Sequence, residues 1–225
     1  MTLLARTRTH LSHSAFGVLE TLSRLRFATR DQLLYWSELT DVSSIGRITN
    51  KLVSQGLVTC IDVVPPRVYG LTDAGYKQTA VPPFRRRTQF NVVQHYCHRN
   101  AVEITLRQRY SKATFQSRHF CLRHGLLPAR GEHLFTLNSQ FGLALIDDQL
   151  MHSARIERSW LRIHKPDQRD YQLAAGNVLH CWRDAVQQFY VFSTDVEAVK
   201  RHQHFVHEKS IPATVDYLQP IWGRA

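Results

Sequence analysis

Ser43, Arg47, Asn50, Lys51 and Ser54 fall on one side of a helical reading of "DVSSIGRITNKLVSQGLVT", residues 41–59. Arg, Asn, Ser and Lys are the side chains that hydrogen-bond base edges and phosphates. The spacing predicts a helix from Ser43 to Gln55, because Ile45, Ile48 and Leu52 form an apolar stripe that must be buried on the opposite side. Gly56 supplies the left-handed residue that ends helices. No carboxylate lies on the polar face. An ordinary exposed helix mixes Glu with Lys, so this composition suits a polyanion, although the helix taken alone leaves a merely solvated face open as the alternative. With Ser44 added, Ser43, Ser44, Arg47, Asn50 and Lys51 are the candidate DNA-contacting residues of the helix.

Such a helix needs a frame. Upstream, "SHSAFGVLETLSRLRF" places Phe16, Leu19, Leu22 and Leu25 on one helical face. "TRDQLLYW" opens a second helix with Thr29 followed three residues later by Gln32, the capping-box spacing. Downstream, "LVTCIDVV", the pair Pro65 and Pro66, and "RVYGLT" read as two strands around a turn. "TDAGYKQTA" then begins a further helix with Thr72 as its cap. Three helices followed by a two-stranded ribbon are expected to form a winged helix over residues 1–81. Its third helix would enter the major groove, and Arg67, at the ribbon tip, would reach phosphate or the adjacent minor groove.

The charge agrees with a polyanionic partner. There are 29 Lys and Arg against 18 Asp and Glu, a formal net charge of +11 and a pI near 9.9, and seven of those eleven charges fall in the first hundred residues. A basic pI alone selects polyanions in general and not DNA. No apolar run approaches the length of a membrane span, and Arg6 and Arg8 interrupt "MTLLARTRTH" before a signal-peptide core could form. The expectation is a cytoplasmic protein without a membrane partner. Cys60, Cys97, Cys121 and Cys181 are scattered through apolar patterns and read as reduced core thiols.

At 225 residues the chain has room for a second domain. Residues 82–90 are the expected joint: Pro82 and Pro83 cannot extend a helix, and Arg85, Arg86 and Arg87 form either a solvated linker or a phosphate-facing strap. Residues 91–225 read as an α/β domain. A long helix spans about Thr88 to Tyr110. Strand-like runs follow at "ATFQSR", "HLFTL", "FGLALID", "SARIERSW", "FYVFST" and "TVDYL", with helices at "DQRDYQLAAGNVLHCWRDAV" and "DVEAVKRHQHFVHEK". "GLALID" and "ARIERSW" are expected to form a hairpin whose ends carry Asp147, Asp148 and Glu157. The fold class is therefore α+β or α/β, a winged helix followed by a mixed sheet with helices packed on it.

This order, with "YGLTDAG" at the exit of the wing and "HYCHRNAVEITLRQRY" opening the second domain, resembles the replication-relaxation family, which includes plasmid mobilisation proteins of the MobC type. The resemblance implies a restriction-endonuclease-like second domain. There Asp147, Asp148 and Glu157 would bind Mg²⁺ and nick or relax DNA, with Lys165 approaching from the following loop. It also implies a transfer or replication origin in double-stranded DNA as target, and a second copy of the chain or relaxosome proteins as partners. The chain departs from the family's motif. Ile146 stands where Pro precedes the first acid, Arg155 replaces the first acid of the next strand, and Ser159 stands where Lys is expected. If the domain does not cleave DNA, no cofactor is expected.

Other clusters carry less. His202, His204 and His207 in "RHQHFVH" sit on a predicted helix where only His204 and His207 share a face, which favours a surface pair over a metal site. His119, Cys121 and His124 lack a partner pair at zinc-finger spacing. Tyr171 and Tyr190 are the tyrosines nearest the acids, and nothing in the spacing selects either as a nucleophile. The competing function is a non-enzymatic transcriptional regulator with a C-terminal dimerisation or sensing domain. The terminal "TVDYLQPIWGRA" has no heptad run to support it.

Overall fold

The computed structural model describes residues 11–37, 39–62, 65–81, 89–117, 120–121, 128–129, 131–137, 140–148, 151–164 and 186–222. They form a mixed α+β protein with two sheets and, among these residues, seven helices. The chain divides into two compact units, Met1–Cys97 and His98–Gly223.

The first unit runs α1 (His13–Leu25), β1 (Phe27–Thr29), α2 (Arg30–Trp36), α3 (Val42–Ser54), β2 (Val58–Ile61), β3 (Val68–Leu71) and α4 (Asp73–Tyr76). Its three strands pair antiparallel in the order β1-β3-β2. One core joins Val18, Leu19, Leu22 and Leu25 of α1 to Leu33, Ile45, Leu52, Tyr69 and Tyr76. Phe16, expected on the buried face of α1, is 38% exposed, and Ala15 and Val18 take its place.

Local chemistry sets each boundary of this unit. Thr29 and Gln32 form the reciprocal capping box on α2. At the end of α3, Gly56 adopts φ 69°; its N–H donates to the Val53 carbonyl, and Leu57 N–H donates to Leu52. Those two bonds satisfy carbonyls that the last helical turn leaves open. Thr72 then ties α4 to this exit. Its hydroxyl donates to the Gly56 carbonyl at 2.7 Å and accepts Gly75 N–H at 3.1 Å. A Cβ on Gly75 would lie 2.0 Å from the Leu57 carbonyl oxygen, so only glycine lets α4 close on this turn.

Helix α5 (Phe90–Arg109) carries the division between the units. Its first two turns belong with the first unit: the Cys97 carbonyl accepts from Gln32 Nε2 at 2.7 Å, and Tyr96 packs against Phe27. Residues 82–88, including Pro82, Pro83, Arg85, Arg86 and Arg87, lie outside the described residues.

The second unit continues β4 (Thr114–Phe115), β5 (Glu132–Leu137), β6 (Gln140–Asp147), α6 (Ala154–His164), β7 (Val186–Ser193), α7 (Val196–Glu208) and β8 (Ala213–Tyr217). These strands make one mixed sheet, β4-β5-β6-β7-β8. β4, β5 and β6 pair antiparallel, and β7 and β8 are added parallel to β6. Alternation along β6 separates two cores. Leu143 and Leu145 pack with Ile156, Ile163, Val199 and Val206 of α6 and α7, whereas Ala144 and Ile146 pack with Val102 and Leu106 of α5.

One expected element changes type. "SARIERSW" is not the hairpin partner of β6; it forms α6, and β6 pairs with β5 instead. The run alternates over its first residues, but Ile156, Ser159 and Ile163 are buried while Arg158 and Leu161 are exposed, a helical stripe visible only when the window extends past Trp160. The helix expected over "DQRDYQLAAGNVLHCWRDAV" lies outside the described residues.

Gly75→Ala is expected to lower the unfolding free energy by roughly 1–3 kcal/mol, because the methyl group must displace backbone. Urea denaturation of the full chain measures this, and an unchanged midpoint would show that the turn can open at no cost.

Candidate functional site

Asp41 starts α3. Its carboxylate accepts the Ser44 N–H at 2.7 Å and the Ser43 hydroxyl at 2.5 Å. The hydroxyls of Ser43 and Ser44 and the Ser44 amide hold its pKa down at about 2. A carboxyl lowered by native bonds stabilises the fold above its ordinary range, and that contribution is lost as the pH falls toward 2. The cap is thus charged at neutral pH. Beyond it, Ile45, Gly46, Thr49 and Leu52 of α3 are buried, while Ser43, Arg47, Asn50, Lys51 and Ser54 are exposed and Ser44 is half-buried. Thr49 returns its hydroxyl to the Ile45 carbonyl at 2.8 Å, which removes its polarity from the core. Among the described residues no side chain pairs with Arg47, Asn50 or Lys51. The polar face read from the sequence is present on one rigid helix.

Gly46 is part of how α3 packs. It is buried, and the guanidinium of Arg30 on α2 lies 3.5 Å from where its Cβ would be, with Nε donating to the Tyr69 hydroxyl at 3.0 Å. A Cβ at this position would make only ordinary van der Waals contact with the Arg30 guanidinium.

Arg67 stands just before β3, in the connection from β2, as expected. Its Nε donates to Asp62 at 3.1 Å with both side chains about half exposed, and this pairing raises its pKa. A phosphate reached by Arg67 would have to replace Asp62.

The acids of the second unit take three separate environments. Asp147, 3% exposed, accepts Met151 N–H on one oxygen at 2.5 Å; on the other it meets the Ser193 hydroxyl at 3.1 Å and His202 Nε2 at 3.0 Å. His202 is fully buried and contacts the Ser153 hydroxyl through Nδ1 at 2.9 Å. One tautomer satisfies the whole chain, with Nε2–H donating to Asp147 and Nδ1 accepting from Ser153. Asp148, the next residue, lies 3.7 Å from His98 Nδ1. Glu157 is half-buried on α6. Among the described residues no three His, Cys, Asp or Glu side chains group as they would around a metal ion. Lys165 lies outside the described residues.

Sequence reasoning passed over a further buried carboxylate, Glu132 at the start of β5. It accepts from the Ser159 hydroxyl at 2.8 Å, from Ala129 N–H at 2.7 Å and from Arg162. Ser159 and Arg162 are three apart on one face of α6, a signal legible only once that segment is read as helix.

The remaining clusters resolve as follows. His204 and His207 are exposed on α7, and His202 has turned into the interior. Tyr190 shares a hydrogen bond of 2.8 Å with Tyr110, and burial together with that bond raises its pKa. Tyr171, His119, His124 and Cys181 lie outside the described residues. Cys60, Cys97 and Cys121 are free thiols; burial pushes Cys121 up to about 11 and Cys97 higher still. Such thiols are not nucleophiles at neutral pH.

Comparison of the chain with protein-family models, with curated proteins and with solved structures finds no match. No helix among the described residues is long and apolar enough to cross a membrane.

Two substitutions separate these environments. Asp147→Asn is expected to cost about 1–3 kcal/mol, since it leaves buried donors without an acceptor. Glu157→Gln should stay within about 0.5 kcal/mol. Equal midpoints for the two variants in urea would mean that the Asp147 network carries no stability. In the β2–β3 connection, Asp62→Asn frees Arg67; if the chain binds duplex DNA there, the log-log salt dependence should steepen by about 0.9, the value of one added phosphate contact. An unchanged slope would place Arg67 away from the phosphates.

Proposed function

We propose that this chain is a sequence-specific double-stranded DNA-binding protein whose first unit is a winged helix. The observation that carries the reading is the exposed face of α3, where Arg47, Asn50 and Lys51 stand beside Ser43 and Ser54 and, among the described residues, no side chain pairs with those three. Bidentate groups on a rigid helix are what the major groove reads. The order of α1, α2 and α3 before the antiparallel β2–β3 pair supports the winged-helix reading, with the connection near Arg67 as its wing.

In this reading the protein works in the cytoplasm at a transfer or replication origin. That role follows from its resemblance to replication-relaxation proteins, supported by the helix α5 and mixed sheet that follow the reader. The second unit serves as a scaffold that holds the reader in place or joins it to a second copy or to other proteins of the complex. The engagement of both Asp147 oxygens and the position of Glu157 on a helix favour a scaffold over a Mg²⁺-dependent nuclease.

Selection of bound sites from a random duplex library tests the proposal. A defined sequence should emerge, and Arg47→Ala or Asn50→Ala should each cost roughly 1–3 kcal/mol on it and little on random duplex. Equal losses on both would reduce the face to phosphate contact, and a library that yields no sequence would overturn the reading. A palindromic site bound only by a dimer would favour the transcriptional regulator. Conversion of supercoiled plasmid to nicked circles with Mg²⁺ would return the second unit to catalysis.

A further inference from the structure

His98 is 1% exposed on α5, and among the described residues neither of its ring nitrogens has a hydrogen-bond partner. A buried polar group left in that state costs free energy of the order of a lost hydrogen bond, so an imidazole with both nitrogens open calls for an occupant. The Asp148 carboxylate faces this ring: its side chain is 8% exposed and its Oδ2 lies 3.7 Å from His98 Nδ1. Asp148 follows the last residue of β6 on the face that packs against α5, opposite Asp147. The ring edge of Trp222 closes on the same imidazole, with centroids 6.1 Å apart at 73°.

The separation discriminates among occupants. It is too long for a direct hydrogen bond. A bridging water, with two hydrogen bonds of about 2.8–2.9 Å near the tetrahedral angle, would hold the two atoms about 4.6 Å apart. Two ligands of one Zn²⁺, at bond lengths of about 2.0–2.2 Å, sit about 3.4 Å apart at the tetrahedral angle and reach 3.7 Å when that angle opens to about 125°. Of these two bridged arrangements, the shared metal ion fits the distance.

We propose that His98 Nδ1 and Asp148 bind a divalent transition metal of the Zn²⁺ class, with water completing the coordination shell. The imidazole sets the class, because Mg²⁺ prefers an all-oxygen shell whereas Zn²⁺ and its neighbours take nitrogen. Coordination through Nδ1 leaves the ring proton on Nε2 and joins α5 to the end of β6. This site is distinct from Asp147, which lies across the sheet in a closed network with His202, Ser153 and Ser193. It stands independently of any DNA target.

The test uses the full chain stripped of metal with EDTA. Titration with Zn²⁺ followed by calorimetry and thermal melting should show one site and a rise in Tm. His98→Gln and Asp148→Asn should each weaken it by more than about 100-fold, beyond the roughly 10–100-fold that the loss of an outer-shell partner costs. Substituting the exposed histidines, His204→Gln and His207→Gln, should leave it unchanged. Paramagnetic Co²⁺ should quench the fluorescence of Trp222, and the quenching should vanish in Trp222→Phe. Absence of Zn²⁺ binding and of Co²⁺ quenching in the wild-type chain overturns the proposal, as does binding that survives both His98→Gln and Asp148→Asn. If His98→Gln does not fold, Asp148→Asn and the wild-type Co²⁺ measurement decide.

Discussion

The second unit depends on one buried carboxylate. Asp147 ends β6 and gathers the approach to α6 through Met151, the end of β7 through Ser193, and the middle of α7 through His202, which itself meets Ser153. Each of these partners leaves water to reach it, so the network is stable only because every member is satisfied. Its geometric effect is to fix where two parallel crossovers begin and end. β7 must register with β6 so that Ser193 stands beside Asp147, and the pairing does place those two residues opposite each other. Apolar contact alone would tolerate a slip along the sheet; this bond set does not.

Adjacent residues on a strand face opposite sides of the sheet, and the end of β6 uses that fact twice. Asp147 meets His202 on the side of α6 and α7, and Asp148 meets His98 on the side of α5. Both pairs sit where apolar layers would otherwise run to the end of the strand. The first is closed by hydroxyls from Ser153 and Ser193, while His98 has no such partner among the described residues. Two chemically alike pairs thus differ in what completes them, and that difference comes from the neighbours supplied by each helix.

The first unit holds a helix by one side and leaves the other side exposed. α3 is anchored through Ile45, Thr49 and Leu52, capped by Asp41 and terminated at Gly56. The turn that leaves α3 is itself closed by α4, whose Gly75 approaches the Leu57 carbonyl too closely for a Cβ. A helix fixed at both ends presents Arg47 and Asn50 without further ordering of its backbone, which lowers the entropic cost of any contact they make.

Much of this was legible along the chain because its causes are local. The capping box of Thr29 and Gln32, the cap at Thr72, the left-handed Gly56, the apolar stripe of α3 and the alternation of "FGLALID" each operate within a few residues, so the sequence by itself determined those elements and the exposed face of α3. The type of α6 was written there too, but over a span longer than the alternating run that obscured it. Tertiary structure alone decided the rest. Asp147 and His202 are 55 residues apart, Glu132 and Arg162 are 30 apart, and His98 reaches Asp148 only after the strands between them have formed a sheet. Which acid meets which base depends on strand order and on which helix covers which face. Those are properties of packing, and no short-range pattern encodes them.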